Sequence, residues 1–301
     1  MSRPTAQRIA STNLSGGSNL RSLEGKLAII TGGSRGIGAA IADNLASKGC
    51  SLLLNYTSDA STKRTQDLAT HLETTYSVRA LPVQADMGSA TGPAHIVTTA
   101  KNHFSHPKTS HFRVDILINN AGVSVNQTLG DITPDDFQAQ YLINVLGPLL
   151  LTQAVVPYLP TDRSGRIVNV SSVSSSLGYP GQSVYGGTKA ALESMTRTWA
   201  RELAERATVN SVNPGPVGTE MYGSTDETFR GQMANFLRHT PLAQAREDLD
   251  SQAQVETARK WGGREAREDE IAGVVGMLCS AESAWTTGSV ICANGGMVMT
   301  A

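Results

Sequence analysis

Tyr185 and Lys189 stand four residues apart in Tyr185-Gly186-Gly187-Thr188-Lys189, which puts a phenol and an ammonium on one face of a helix. A free phenol ionises at about pH 10, too high to exchange protons readily at neutral pH. An ammonium beside it stabilises the phenolate and lowers that value. Such a pair can deliver a proton to an oxygen that gains charge during a reaction. Ser172 lies 13 residues upstream, just past a short apolar run, and its hydroxyl can donate to the same oxygen. Asn144 falls in the long helical segment before it, and Asn119-Asn120-Ala121-Gly122 closes another apolar run. One Tyr-x-x-x-Lys alone is weak. Asn144, Ser172, Tyr185 and Lys189 in one chain make a candidate catalytic set.

A second constellation suits phosphate. Thr31-Gly32-Gly33-Ser34-Arg35-Gly36-Ile37-Gly38 follows the first apolar run and opens a helical segment. Glycines there permit a tight turn and bring backbone N–H groups to a pyrophosphate at the helix N-terminus. Gly32, Ser34, Arg35, Gly36, Ile37 and Gly38 are the expected contacts. An NAD-binding chain places an acid on the ribose 2′-hydroxyl roughly 20 residues past the glycines. Tyr56 holds that place here, flanked by Asn55, Thr57 and Ser58, with no carboxylate before Asp59. Arg35 offers a planar fork suited to a 2′-phosphate. A cation at a helix start opposes the helix dipole unless an anion joins it. The reading is NADP(H), with Asn55, Tyr56 and Ser58 on the 2′-phosphate side; the alternative for Arg35 is a solvated charge.

These groups need a scaffold. Short β-branched or Leu-rich runs at 26–31, 51–56, 78–83, 114–119, 166–171, 208–213 and 288–293 alternate with helical segments at 36–48, 60–76, 89–104, 134–158, 184–206 and 268–280. Continuous apolar strands between helices imply a parallel sheet covered on both faces. The expected fold is α/β: one doubly wound Rossmann domain over residues 25–301, with about seven parallel strands and helices on both faces. Residues 1–24 read as a disordered leader, or alternatively as a mitochondrial presequence, with Arg3, Arg8 and Arg21 and no acid before Glu24. Segment 221–267 breaks the rhythm and reads as a helical lid beyond the strand ends. Its Met221, Tyr222, Phe229, Met233 and Phe236 form either an apolar wall for an apolar or aromatic substrate or the packed face of an amphipathic helix.

The motifs TGxxxGxG, NNAG, the Ser172 to Tyr185 spacing, YxxxK and Asn213-Pro214-Gly215-Pro216-Val217-Gly218-Thr219 occur in that order. Together they resemble the short-chain dehydrogenase/reductase family, over about residues 23–297. The stretch from Gly49-Cys50 through Asn55-Tyr56 is similar to fungal polyhydroxynaphthalene reductases, and the whole pattern to 3-oxoacyl-carrier-protein reductases. The resemblance implies Tyr185 as acid, Ser172 on the substrate oxygen, Lys189 on the nicotinamide ribose, and Asn144 holding a water that relays protons toward Lys189. It also implies Asp86 at the adenine, and Asn120, Ala121 and Gly122 along the adenine ribose. Pro214, Gly215, Val217 and Thr219 are then expected along the nicotinamide. Homodimers or homotetramers through paired helices are a further implication. Segment 244–260 departs from the family, which joins its flanks closely. It reads as a solvated helix or as an insertion serving substrate or partner.

The expected function is an NADPH-dependent carbonyl reductase acting on a 3-oxoacyl thioester, carried on a protein or CoA, or on a polyketide-like aromatic ketone. The alternatives are an NAD-linked alcohol or hydroxysteroid-type dehydrogenase and a nucleotide sensor without catalysis. With 25 basic against 26 acidic residues, a net charge of −1 argues against nucleic-acid binding. No apolar run reaches the roughly 18 residues of a transmembrane segment, so no membrane association is expected. Cys50, Cys279 and Cys292 fit buried thiols in a reducing compartment, the cytoplasm or the mitochondrial matrix. His103, His106 and His111 lack a well-spaced fourth ligand, so no metal is expected.

Overall fold

The computed structural model describes residues 21–299. In chain order the elements are β1 (Leu27–Ile30), α1 (Gly36–Ser47), β2 (Ser51–Tyr56), α2 (Thr62–Tyr76), β3 (Ala80–Gln84), α3 (Gly92–Phe104), β4 (Ile116–Asn119), α4 (Pro134–Tyr141), α5 (Gly147–Val155), β5 (Gly165–Val170), α6 (Ser174–Leu177), α7 (Ser183–Glu202), β6 (Ala207–Pro214), α8 (Glu220–Gly223), α9 (Glu227–Arg238), α10 (Gln252–Trp261), α11 (Glu268–Leu278) and β7 (Val290–Ala293). The seven strands form one sheet in the order β3-β2-β1-β4-β5-β6-β7, every pair parallel. This is the expected doubly wound fold. The strand order reverses between β1 and β4, where a crevice opens at the carboxyl ends of the strands.

Strand alternation sorts the core into two layers. Ala28, Ile30, Leu52, Leu54 and Ile118 face Ile41 and Leu45 of α1, Leu72 of α2 and Val275 of α11. Leu27, Ile29, Leu53 and Leu117 face Ile96 of α3, Leu151 of α5 and Leu192 and Trp199 of α7. Each fully buried Leu or Ile contributes about 1.5–3 kcal/mol relative to exposure. Those layers hold the strand ends, and therefore the loops that carry the chemistry, in fixed positions.

Two expectations need correction. The leader does not extend to 24: residues 1–20 lie outside the described chain, but Leu23 is buried among α1-side residues and its N–H donates to Lys48 O at 2.8 Å. The segment 134–158 is not a uniform helix. A wide turn at Leu142–Leu146 separates α4 from α5. Pro134–Tyr158 also has a mean hydropathy of 1.4 over 18 residues, long and apolar enough by composition to cross a membrane. In the fold its buried Gln140, Asn144 and Thr152 accept from or donate to Val125, Val123, Thr188 and Asn119, as in a core helix.

The segment 221–267 folds as short helices whose neck is zipped shut. Gly218 N–H donates to Ala266 O and Ala266 N–H to Pro216 O, both at 2.9 Å. Phe229 and Met233 of α9 pack with Val173 and Tyr179 in a small third core. They are thus the packed face of an amphipathic helix, not a wall open to substrate. α10, which begins inside the insertion 244–260 and ends at Trp261, has no buried residue and is a solvated helix, started by a Ser251–Gln254 capping box. Cys50 and Cys279 are buried thiols, while Cys292 in β7 is half-buried.

Candidate active site

The glycine loop fits its expected role sterically. Gly32 has φ +62°, and a Cβ there would lie 3.0 Å from Asn120 Nδ2. A Cβ on Gly38 would lie 2.2 Å from Gly32 O, inside any allowed contact. Only glycines let the turn fold over the start of α1, leaving a backbone cradle. Thr31 fixes that turn to β4: its Oγ1 accepts from the N–H groups of Asn120 and Ala121, each at 3.0 Å. Asn120 Nδ2 donates to Thr31 O at 2.8 Å and Gly32 O at 3.2 Å. The Asn120 side chain is therefore a loop brace. Arg35 is exposed, Ser34 buried and Ile37 packed beside the α1-side core.

Two of the residues expected on the 2′-phosphate side are turned inward. Asn55 is 1% exposed, and its Nδ2 donates to Ala85 O at 2.9 Å and Val83 O at 3.3 Å, clipping β2 to β3. Tyr56 is 7% exposed. The last strand residues are still sheet, so their side chains are committed before the crevice opens. Ser58 and Thr57 are exposed just beyond. Asp86 is exposed, and its Oδ1 accepts from Gly88 N at 2.8 Å, so it shapes the turn before α3.

The four candidate catalytic residues converge. Asn144 sits in the wide turn Leu142–Leu146, where its Oδ1 accepts from Val123 N at 2.9 Å and its Nδ2 donates to Val123 O at 2.8 Å and Thr188 Oγ1 at 3.1 Å. Lys189, one residue on from Thr188, is buried and its Nζ donates to Val170 O at 2.8 Å. The backbone of Gly122 passes between them. A Cβ on Gly122 would be 3.3 Å from both Asn144 Oδ1 and Lys189 Nζ. Lys189 Nζ lies 5.6 Å from the centre of the Tyr185 ring.

Electrostatics correct one expectation. Burial pushes the Tyr185 phenol up to about 12, with the Ser172 hydrogen bond acting the other way. Burial also pulls Lys189 down to about 8, opposed by the Glu193 carboxylate. Desolvation is the largest cause of the raised phenol, and the Lys189 ammonium spends its hydrogen bond on Val170 O at 2.8 Å. At neutral pH both groups keep their protons, the state required of an acid.

Sequence reasoning missed several members of this site. Ser172 Oγ donates to Ser174 Oγ at 3.1 Å, which donates to Gln182 Oε1 at 2.5 Å; Gln182 Nε2 reaches Asn126 Oδ1 at 3.1 Å. Glu193 accepts from Ser171 Oγ at 2.6 Å and Ser175 Oγ at 2.8 Å. Glu193 follows Lys189 by four residues, so helical spacing could have found it; the file from Ser172 to Asn126 has no such signal. Pro214, Gly215 and Val217 lie at the carboxyl end of β6, where Pro214 O accepts from Val173 N at 3.0 Å. The Thr219 hydroxyl caps α8, accepting from Tyr222 N.

A dinucleotide cradle and a Ser–Tyr–Lys–Asn cluster at the switch point of a doubly wound sheet define a hydride-transferring oxidoreductase. The chain belongs to the short-chain dehydrogenase family, whose pattern matches residues 26–229. It is thus an oxidoreductase of the CH–OH/carbonyl type. It is 59% identical over 296 residues to an L-xylulose reductase of Aspergillus niger, covering 93% of this chain and 99% of the relative. An L-xylo-3-hexulose reductase of Hypocrea jecorina is 53% identical over 299 residues, with 93% and 98% covered. Among solved structures, a blue fluorescent protein from a metagenomic library, in complex with NADPH, superposes with a TM-score of 0.77 at 31% identity, covering 92% of this chain and all of that one.

Proposed function

We propose that this protein is an NADPH-dependent reductase of open-chain sugar ketones, of the L-xylulose type. The 59% identity over almost the full length of a relative named for that reaction carries the reading. The site chemistry agrees with it. The hydroxyl and amide file from Ser172 through Ser174 and Gln182 to Asn126 suits a substrate rich in hydroxyls. The burial of Phe229 and Met233 takes two of five residues out of the apolar wall that would favour an aromatic ketone or an acyl thioester.

NADPH, when bound, supplies the hydride. The cradle of Gly32, Gly36 and Gly38 holds its pyrophosphate, with Ser34 and Ile37 at the turn. Asp86, Asn120, Ala121 and Gly122 border the adenosine half. Pro214, Gly215, Val217 and Thr219 border the nicotinamide. Arg35 and Ser58 take the 2′-phosphate; Asn55 and Tyr56 act only through their backbone. Tyr185 delivers its proton to the carbonyl oxygen, and Ser172 donates a hydrogen bond to the same atom. Lys189 places a buried positive charge behind the phenol, and Asn144 braces the loop that Lys189 reaches. The buried thiols of Cys50 and Cys279 accord with a reducing compartment, the cytoplasm.

The test is loss of reduced-nicotinamide absorbance with L-xylulose, an acetoacetyl thioester and a bicyclic aromatic ketone in parallel. Turnover at least tenfold faster on the ketose, with NADPH over NADH, is expected. Preference for the thioester or aromatic ketone would overturn the substrate class, and preference for NADH the cofactor.

A further inference from the structure

Glu220 is the first residue of α8, where the chain leaves the neck of the lid. Its carboxylate spans two arginines from distant parts of the sequence. Oε2 accepts from Arg35 Nη1 at 2.5 Å and Oε1 from Arg64 Nη1 at 2.8 Å. Arg35 belongs to the glycine loop and Arg64 to the first turn of α2, just after the end of β2. These are the two places that flank the adenosine ribose in a doubly wound fold. The neighbouring Thr219 lies against the same loop: a Cβ on Gly36 would meet its methyl at 3.2 Å. The start of the lid thus sits on the phosphate loop, held there by an anion.

All three side chains are about half exposed, at 58%, 49% and 57% for Arg35, Arg64 and Glu220. Ion pairs that open to water contribute little and give way readily. A phosphate monoester carries more charge than a carboxylate and offers three oxygens to two guanidinium forks. We propose that Arg64 is a second 2′-phosphate ligand beside Arg35, and that Glu220 occupies this anion site until the 2′-phosphate displaces it. The proposal rests on the NADPH reading. Arg64 adds to the preference for NADPH, and Glu220 acts as a built-in competitor that sets its strength. NADH brings a neutral hydroxyl to the same spot and leaves the Glu220 bridge in place.

Calorimetric titration of the full chain with NADPH, NADH and adenosine 2′,5′-bisphosphate tests this without turnover. Arg64→Gln is expected to weaken NADPH and the bisphosphate about tenfold and to leave NADH within about twofold. Glu220→Gln is expected to tighten NADPH and the bisphosphate about threefold, again without effect on NADH. Both effects shrink as salt rises. Equal weakening of NADPH and NADH by Arg64→Gln, or NADPH affinity unmoved or lowered by Glu220→Gln, would overturn the proposal. Equal affinity of the unaltered chain for NADPH and NADH would overturn the cofactor reading itself.

Discussion

Burial drives the two titrating groups at the centre of this site in opposite directions, Tyr185 up to about 12 and Lys189 down to about 8. The phenol is then a reservoir of one proton across the physiological range, and the ammonium is the group whose charge can be lost. kcat/KM for reduction should be level below pH 8 and fall above it, as the charge that favours the reacting oxygen disappears. Glu193→Gln removes the carboxylate that holds Lys189 up, so the fall should move to lower pH. A profile flat to pH 10, or unmoved by Glu193→Gln, would contradict this assignment. Stability runs the opposite way to activity over this range. The folded value of Lys189 lies below its unfolded 10.5, so burying the ammonium costs stability below about pH 8. That cost is relieved as pH rises toward 10.5. Tyr185→Phe should cut turnover about 10³-fold while NADPH still binds. Tyr185 and Lys189 are legible from four-residue spacing. Arg64 and Glu220 are 156 residues apart, and no periodicity connects them.

Elements carry constraints that residue types alone hide. The apolar pattern of 134–158 predicts one straight helix, yet the wide turn at Leu142–Leu146 delivers Asn144 to Val123. That turn is a backbone event, and helical periodicity continues across it. The burial of Asn55 and Tyr56 is hidden for a related reason: a count from the glycines does not say where the sheet stops covering side chains. The insertion shows an anchor instead. Arg264 pairs with Asp250 at 3.2 Å and with Glu270 at 2.8 Å, with Arg264 12% and Asp250 7% exposed. Arg264→Ala leaves Asp250 only the Arg246 N–H as a partner, a loss of about 1–3 kcal/mol. The expected result is faster protease cleavage within 244–260 and a raised KM. Unchanged cleavage would show that the lid is held by something else.

At the scale of the molecule, the doubly wound sheet was readable because short strands rich in Val, Ile and Leu alternate with helical crossovers, even though β5 and β6 also carry buried Asn and Ser. The outer surface was not, since a sequence does not say which apolar stripe the sheet takes. Phe137 is 47%, Leu146 37% and Leu149 38% exposed along α4 and α5. With Pro134, Tyr141, Leu142 and Val145 they line a groove of about 530 Å³. A second copy covering this apolar stripe is the expectation that the family resemblance raises. Light scattering should give a dimer or tetramer for the unaltered chain and a lower mass for Leu149→Glu. A monomer from the start would show that the stripe has another use.

The proposed reaction is hydride transfer from NADPH to a sugar ketone, with Tyr185 supplying the proton. Its most direct test supplies L-xylulose and NADPH deuterated at the transferring carbon, and locates the label by mass spectrometry and NMR. The expected product is a pentitol with one deuterium on the former carbonyl carbon, formed about 10³-fold more slowly with Tyr185→Phe. NADPH consumed without deuterium reaching that carbon, or label transferred equally well by Tyr185→Phe, would contradict it.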